Sequence, residues 1–378
     1  GYNTFFIVFL FRMFINATKL IICCQKSIIF IKFVIMKRLF LILSTICATA
    51  FAIVAQNDFE GKCGAQLKQY LHDSFAPQHY VSSMTGEGGA WSLFAQCDVM
   101  PDGSALDRYS LNKYKFPNDK TTAPYGMVVN SVVDVSWWGS HVPATAEWDL
   151  YNLLPCNSEV PQYKNDYMPG VVTDIVYAND VWSVGWGSIE GYRINMYAPP
   201  RGYEGDFARI IMYMATIYPA NRWNGQGVNF FADGAYPTLN GYSKALLLQW
   251  HALDPVSDIE LTRNDVIAMA QGNRNPFVDY PQLVDYIWGS KSSEPYQPGQ
   301  GDEEQEQSKE PLRATYSISN DEKVYLFSPY IPNDVTWTIN GTKIEGDFIE
   351  TKSLGMGEHE LRFKSATIKG KLKIKIVE

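Results

Sequence analysis

Histidine and cysteine are scarce in this chain, which limits the metal and thiol chemistry open to it. Five His and six Cys occur among 378 residues. Three cysteines, Cys63, Cys97 and Cys156, lie in the part that we expect to fold, at spacings that match no metal-ligand pattern. Their odd number leaves two alternatives open, one disulfide with a free thiol or three buried thiols. Cys-x-x-Cys motifs, Gly-rich phosphate loops and Ser-His-Asp spacings are absent as well.

Positive charge is also in short supply. The chain has 32 basic and 40 acidic residues, a net charge of −8. Residues 1–55 hold six of the basic residues and none of the acidic ones, so the remainder has 26 basic and 40 acidic residues, a net charge of −14. Affinity for nucleic acid comes largely from Lys and Arg that neutralise phosphates. The deficit therefore weakens a general nucleic-acid-binding interpretation, although a local basic groove is compatible with it.

The N-terminal segment shows the pattern of an exported protein. Residues 1–35 begin with Gly and contain no acidic residue, and we interpret them as translated upstream sequence. From Met36, the basic pair Lys37-Arg38 precedes an apolar run at 39–55, which predicts a signal peptide over residues 36–56. We therefore expect a secreted, periplasmic or cell-surface protein. Basic residues interrupt every earlier apolar run before it reaches about 18 residues, so we expect no transmembrane anchor.

Two regions of different composition follow. Residues 57–290 combine helical periodicity with short Val-rich strands, for example at 127–135. Residues 291–312 are rich in Pro, Gly, Gln and Glu, which predicts a flexible acidic linker. Residues 313–378 show short alternating strands and the hairpin turn Asn340-Gly341, which predict a small all-β, immunoglobulin-like sandwich. The predicted fold class is therefore α+β, followed by an all-β module.

The stretch 246–288 is predicted to form three helices with two breaks. Asp254 precedes a proline and is pushed out of the helical region, so the first helix ends there. Ser257 and Glu260 stand at the spacing of a capping box, which begins the second helix. Gly272 is expected to end it in a left-handed conformation, and Pro281 is expected to open the third helix.

The loop between the second and third of these helices is polar, although both helices are predicted to be buried. It contains Arg274 and Asn275. One interpretation is that its side chains satisfy buried carbonyl groups. The other is that Arg274 or Asn275 faces a functional site.

Several motifs occur in a fixed order between about residues 59 and 288. They include Ser136-Trp137-Trp138-Gly139, WDLYNLLP at 148–155, NDYMPG at 165–170, RGYEGDFAR at 201–209, and WH, DPVS and QGNRNPF within 250–277. Together these motifs resemble the endonuclease I family, secreted nucleases of the ββα-metal (His-Me finger) type. The resemblance implies an endonuclease I-like domain with that fold over residues 57–290.

The resemblance also implies a catalytic site, and this sequence departs from it. In the family a His acts as general base, and a Glu beside it and an Asn on the following helix hold one Mg²⁺. Aligned on the 136–139 motif, the Glu and His positions carry Asn130 and Ser131. Aligned on Pro155, the metal-binding Asn falls on Pro161, which has no side-chain oxygen. Base and ligands are therefore missing, and we expect a degenerate site.

Other residues at motif positions are candidates for binding or scaffold roles. Two further His positions of the family carry Tyr151 and Asn152 here, close to Asp149. His141 is the candidate for a relocated base, because it is the histidine nearest to Ser131 in the chain. A loop histidine without a role is the alternative. The full set of binding or scaffold candidates is Asp149, Asn152, Arg209, Arg274 and Asn275.

These observations predict a secreted endonuclease I-like protein that is catalytically degenerate and acts by binding. Its partner would be a nucleic acid, bound weakly, or a surface glycan or protein, and we expect no cofactor and a monomer. The alternative hypothesis is an active Mg²⁺-dependent extracellular endonuclease, a DNase or RNase, that uses a relocated base.

Overall fold

A computed structural model describes residues 59–298 except Ala144, together with residues 315–319, 323–325, 336–345, 348–364 and 369–377. The predicted upstream segment at 1–35 and the predicted signal peptide at 36–56 lie outside the described residues. So do residues 299–312, which form most of the predicted linker.

Up to residue 298, the described chain combines helices with two small sheets. The helices are α1 (Gly64–Phe75), α2 (Ala90–Cys97), α3 (Val160–Lys164), α4 (Glu204–Ile217), α5 (Gly227–Phe230), α6 (Gly241–Leu253), α7 (Asp258–Gln271), α8 (Pro276–Asp279) and α9 (Leu283–Ile287). The strands are β1 (Met127–Ser131), β2 (Leu153–Asn157), β3 (Met168–Pro169), β4 (Asp174–Ala178), β5 (Ser183–Ile189) and β6 (Tyr192–Ala198). This mixture of helices and strands confirms the predicted α+β class.

The helix α4 lies at the centre of the core. Every one of its residues is buried, from Glu204 to Ile217. Its sequence is apolar on most faces, which is typical of a helix surrounded by protein. Helices α1, α6 and α8 pack against it. The core of this region is therefore built around α4.

The helix α7 begins and ends where the sequence predicts. Ser257 Oγ accepts from the Glu260 N–H, and the Glu260 side chain reaches back to the Ser257 N–H, which completes the capping box. Gly272 ends the helix with a φ of 75°. The predicted third helix corresponds to α9, and Pro281 lies two residues before it rather than at its start. A further short helix, α8, begins within the segment that the sequence predicts as a loop. Asn275 begins α8 because its side chain accepts from the Phe277 N–H, a local cap that favours a helix start.

The segment that follows α9 is also packed against the rest of this region. Tyr296 is buried. Its N–H donates to the Lys62 carbonyl at 3.0 Å, and its own carbonyl accepts from the Gly61 N–H at 2.9 Å. The packed region therefore reaches past residue 290, where the predicted linker begins.

A four-stranded sheet follows α3 in the chain. Its strand order is β3-β6-β5-β4, with β3 and β6 parallel and the other neighbours antiparallel. Gly185 permits the close approach of β4, because a Cβ there would lie 2.1 Å from the Asp174 carbonyl oxygen. Strand β4 forms one edge of this sheet.

The C-terminal region contains strands. They are β7 (Thr315–Ser319), β8 (Lys323–Tyr325), β9 (Thr336–Ile339), β10 (Thr342–Lys343), β11 (Phe348–Glu350), β12 (Gly357–Lys364) and β13 (Lys369–Val377). One sheet has the order β10-β9-β12-β13-β7, and β11 pairs with β8. Asn340 and Gly341 form the predicted hairpin turn, both with positive φ. Among the residues described, no helix is both long and apolar enough to cross a membrane.

Candidate functional site

A hairpin and a helix bring together the positions that the sequence singles out. Strands β1 and β2 pair antiparallel, with Asn130 opposite Leu154 and Ser131 opposite Leu153. The chain then enters α3, whose first turn contains Pro161. Two strands followed directly by a helix make a ββα unit, and the three positions lie at the end of its first strand and the start of its helix.

The local sequence accounts for this unit. Asn157 Oδ1 accepts from the Glu159 N–H at 2.7 Å, a turn bond that ends β2. Proline in the first helical turn loses no hydrogen bond, because the first N–H groups of a helix have no intrahelical partner. Pro161 therefore suits the start of α3 on structural grounds alone.

Asn130 and Ser131 are half-buried at the end of β1. The Asn130 Oδ1 is shielded from solvent and has no hydrogen-bond partner within the described part of the chain. The Ser131 main-chain oxygen accepts from Lys164 Nζ at 3.1 Å. An amide and a hydroxyl do not take up protons near neutral pH as an imidazole does. Neither side chain can therefore act as the general base.

The donor set at these positions does not fit a magnesium ion. Mg²⁺ is usually held through one or two carboxylates in an octahedral arrangement of oxygens. Asn130 offers one amide oxygen, Ser131 one hydroxyl, and Pro161 offers none. Over the described ranges, no group of three or more His, Cys, Asp or Glu could hold a metal ion.

Lys164 lies inside the ββα unit, and sequence reasoning missed it. The side chain is fully buried, its Nζ donates to the Ser131 carbonyl, and it lies 5.1 Å from the centre of the Tyr197 ring. Burial lowers the pKa of the Lys164 ammonium to about 8, while the Asp134 carboxylate opposes the shift. Lys164 is the only basic residue between positions 148 and 170, and that isolation is the signal that the sequence offers.

His141 lies at the surface. It follows the 3-10 helix Val135–Trp138 and is exposed, with its main-chain N–H donating to the Trp138 carbonyl at 3.3 Å. The tryptophans of that helix are buried, and Trp138 Nε1 donates to the Tyr218 carbonyl at 3.1 Å. The Ser-Trp-Trp-Gly motif is therefore a packing element, and the relocated-base candidate stands in the loop after it.

Asp149 is a buried hydrogen-bond acceptor that joins three parts of the fold. Its carboxylate accepts from Tyr213 Oη at 2.7 Å, Tyr218 Oη at 2.9 Å and Gln271 Nε2 at 3.0 Å. Burial raises the pKa of the Asp149 carboxyl, although these donors oppose the shift. Asp149 thus connects the 148–155 motif to α4 and to the end of α7.

Asn152 fixes the chain that leaves β1. Its Oδ1 accepts from the Val133 N–H at 2.8 Å, and its Nδ2 donates to the Val133 carbonyl at 2.9 Å. Both residues are fully buried. The neighbouring Tyr151 Oη donates to Asn264 Oδ1 at 2.7 Å. The two positions that carry His in the family therefore hold structural hydrogen bonds here.

Arg209 and Asn275 belong to one buried network. Arg209 Nε and Nη2 donate to the two carboxylate oxygens of Glu260 at 2.6 and 2.7 Å, a bidentate pair. Arg209 Nη1 donates to the Asp254 carbonyl at 2.7 Å. Asn275 Nδ2 donates to the Arg209 carbonyl at 3.2 Å. The network holds α4 against the start of α7 and the start of α8.

Arg274 differs because its side chain is partly exposed, at 28%. It donates to both carboxylate oxygens of Asp279, at 2.6 and 2.8 Å. It also forms an ion pair with Asp265 at 2.8 Å. Arg274 therefore pairs with two carboxylates rather than with buried carbonyl groups, whereas Asn275 donates to a main-chain carbonyl.

A second buried ion cluster was not anticipated from the sequence. Arg108 donates from Nε to Asp206 at 2.7 Å and from Nη1 to Asp98, and Arg263 lies 3.1 Å from Asp98. Burial, followed by the Glu260 carboxylate, raises the pKa of Asp206 to about 7. A cavity of about 20 Å³ lies against Arg108 and Asp206, enough room for one water molecule.

An α+β chain in which two paired strands and a short helix carry these positions fits an endonuclease I domain. The comparison with protein families agrees. The Endonuclease I profile matches residues 63–282, more than half of the chain, and the chain belongs to that family.

Two curated relatives are extracellular ribonucleases. The protein from Bacillus subtilis (strain 168) is 34% identical over 110 residues, and the one from Bacillus amyloliquefaciens is 36% identical over 104 residues. Each match covers 26% of this chain and 34% of the relative. The chain thus spans about a third of the length of the curated relatives that it matches.

Proposed function

We propose that this protein is a catalytically silent member of the endonuclease I family that acts by binding rather than by cleavage. One observation carries the proposal. Asn130, Ser131 and Pro161 occupy the ββα unit at the positions where the family has its metal-binding Glu, its base and its metal-binding Asn. Asn130 offers a neutral amide oxygen in place of a carboxylate, Ser131 has no group that takes up a proton near neutral pH, and Pro161 has no side-chain oxygen.

The retained motif residues support the same proposal because they hold the fold together. Asp149, Asn152, Arg209 and Asn275 all make buried hydrogen bonds to main chain or side chains. Such bonds stabilise the scaffold whether or not the site cleaves a substrate. A chain can therefore keep these motifs after its catalytic residues are gone.

Export is part of the proposal. The basic pair and apolar run after Met36 have the layout of a signal peptide, and both curated relatives are described as extracellular. We infer a secreted, periplasmic or cell-surface protein, with the C-terminal strands forming an immunoglobulin-like module. The binding partner is a nucleic acid, a surface glycan or a protein, and the net negative charge of the chain favours the latter two.

The alternative is an active Mg²⁺-dependent endonuclease with a relocated base. Two observations favour it: His141 is exposed in a loop close in sequence to the ββα unit, and the curated relatives are ribonucleases. This alternative needs a metal site that the residues at the three family positions do not provide.

A cleavage assay separates the two functions. The purified protein is incubated with plasmid DNA and with RNA, with Mg²⁺ and with a chelator. We expect no cleavage above background in either condition. Strong, chelator-sensitive cleavage would overturn the proposal. Loss of that cleavage in His141→Ala, but not in His72→Ala, would identify the relocated base, since His72 is another exposed histidine.

A further inference from the structure

Exposed apolar side chains are concentrated in one short part of the chain. Of the twelve large hydrophobic residues that are exposed over the described ranges, five lie between positions 163 and 192. They are Tyr163 (41% exposed), Ile175 (60%), Val176 (71%), Val181 (37%) and Tyr192 (74%). Scattered exposed hydrophobic residues are ordinary, whereas a cluster of them marks an interaction surface.

Two of these residues, Ile175 and Val176, are neighbours on the edge strand β4. Four of its five residues are exposed, and among the described strands β4 pairs with β5 alone. An edge strand presents main-chain N–H and C=O groups on its open side, which can pair with another strand. The register of β4 with β5 shifts between Ile175 and Tyr177, so Val176 stands at an irregularity of the strand. We call this surface the β4 edge; it consists of β4 with the exposed side chains of Ile175 and Val176.

The aromatic residues beside the β4 edge are already covered. Tyr163 of α3 stacks on Tyr177 of β4, with ring centres 3.5 Å apart and planes 11° apart. The Arg193 guanidinium lies 4.3 Å from the centre of the Trp186 ring. One face of Trp186 is therefore occupied, and the two tyrosines cover each other. Tyr192 is exposed, but it pairs with Ile189 at the end of the β5-β6 hairpin, beyond the part of β5 that pairs with β4. On β4 itself the open surface is aliphatic side chain and strand edge, which fits an extended peptide better than a stacked base or sugar ring.

The segment of chain that carries the β4 edge is acidic. Residues 159–198 contain five acidic residues, Glu159, Asp166, Asp174, Asp180 and Glu190, and two basic ones, Lys164 and Arg193. Lys164 is buried, and Arg193 forms an ion pair with Asp174. Phosphates would be repelled here, and a second copy of this surface would bring acid against acid. A basic partner is the complementary one.

We propose that the β4 edge binds an extended segment of a protein partner in which basic residues alternate with aliphatic ones, and that this segment adds a strand to the β3-β6-β5-β4 sheet. Main-chain hydrogen bonds to β4 supply affinity, and Ile175 and Val176 contact the aliphatic side chains. The basic side chains lie near the acidic residues around the edge. This binding does not depend on whether the ββα unit cleaves nucleic acid.

The test uses a short fluorescent peptide that alternates lysine with valine, and a counterpart with glutamate in place of lysine. We expect the full-length protein to bind the lysine peptide, more weakly as salt rises, and to bind the glutamate peptide much less. Amide hydrogen exchange of β4 should slow in the complex. Val176→Lys and Ile175→Lys should weaken binding by more than about tenfold through charge repulsion.

The matched control is Leu261→Lys, which changes an aliphatic residue exposed to 42% on α7 and should leave peptide affinity unchanged. Because the substituted side chains are exposed, the variants should fold, which circular dichroism checks. Equal binding of the two peptides, or equal loss in Leu261→Lys, would overturn the proposal. A dimer in sedimentation that Val176→Lys dissociates would instead assign the edge to a second copy of this chain.

Discussion

At the scale of single residues, Asn152 shows how a position that carries His in the family has a structural role here. Its side chain satisfies both main-chain groups of Val133, which is fully buried. Removing the amide would leave a buried donor and a buried acceptor without partners. Such groups are expensive to leave unpaired in the folded state.

We therefore expect Asn152→Ala to lower the free energy of unfolding by about 1–3 kcal/mol. Urea denaturation followed by fluorescence measures the change. Gln162→Ala is the control, because Gln162 is an exposed polar residue on α3 and its loss should change stability by less than about 0.5 kcal/mol. Equal effects of the two substitutions would contradict the role given to Asn152.

Two buried lysines make stability depend on pH above neutrality. Burial lowers the pKa of Lys68 from 10.5 to about 7 and that of Lys164 to about 8. Between these values and 10.5 the folded state has released the protons while the unfolded state retains them, so the unfolded state binds more protons. Stability then rises with pH across this window, and the penalty of charged burial is complete below pH 7.

We expect the free energy of unfolding to increase from pH 7 to pH 9, by up to about 1.4 kcal/mol per pH unit for each lysine. Burial raises the pKa of the Cys97 and Cys156 thiols above their usual 9.0, so ionisation of these thiols in the unfolded state opposes the increase as the pH approaches 9. Lys68→Met and Lys164→Met should each reduce the slope. Lys115→Met changes an exposed lysine and should leave the slope of stability against pH unchanged. If the slope is unchanged in all three variants, Lys68 and Lys164 are not its cause.

At the scale of elements, local signals allowed the helix boundaries around α7 to be predicted. The capping box of Ser257 and Glu260 and the left-handed Gly272 depend on neighbours within a few residues, and both occur as expected. The short helix α8 was not predicted, because the polar sequence at 271–277 indicates a loop; there the Asn275 side chain caps α8.

The capping box gives a direct test at this scale. Ser257→Ala removes the Oγ that accepts from the Glu260 N–H, and we expect it to destabilise the protein by about 1 kcal/mol. Thermal denaturation by circular dichroism gives the shift. Ser257→Asp should retain most of the stability, because Asp is an equally good cap. If Ser257→Asp were as unstable as Ser257→Ala, the lost cap would not be the cause of the lower stability.

The long-range contacts of the site could not be predicted from the sequence. Asn130, Ser131 and Pro161 were located from motifs, and the pairing of β1 with β2 places them in one unit. The contact of Lys164 with Ser131, and the ion pair of Arg108 with Asp206, join residues 33 and 98 positions apart. Nothing in the spacing of charges along the chain indicates which of them will meet in the core.

At the scale of the whole molecule, the chain has the fold expected of an endonuclease I domain, and its buried arginines are used for structure. Arg209, Arg263 and Arg108 are all paired with buried carboxylates, so none of these cations is free to contact phosphate. The division into a nuclease-like domain, a linker and a separate immunoglobulin-like domain stays a prediction, since residues 299–312 lie outside the described part. The central claim is that the ββα unit no longer binds a catalytic metal.

Titration with Mg²⁺, followed by calorimetry and by the melting temperature, tests that claim most directly. An ion that binds only the folded state must raise the melting temperature of the protein. We expect neither saturable heat nor a shift for the natural protein. The variant with Asn130→Glu, Ser131→His and Pro161→Asn should show both, although changed neighbours such as Asn152 limit the gain. Saturable Mg²⁺ binding by the natural protein, with a higher melting temperature, would contradict the account.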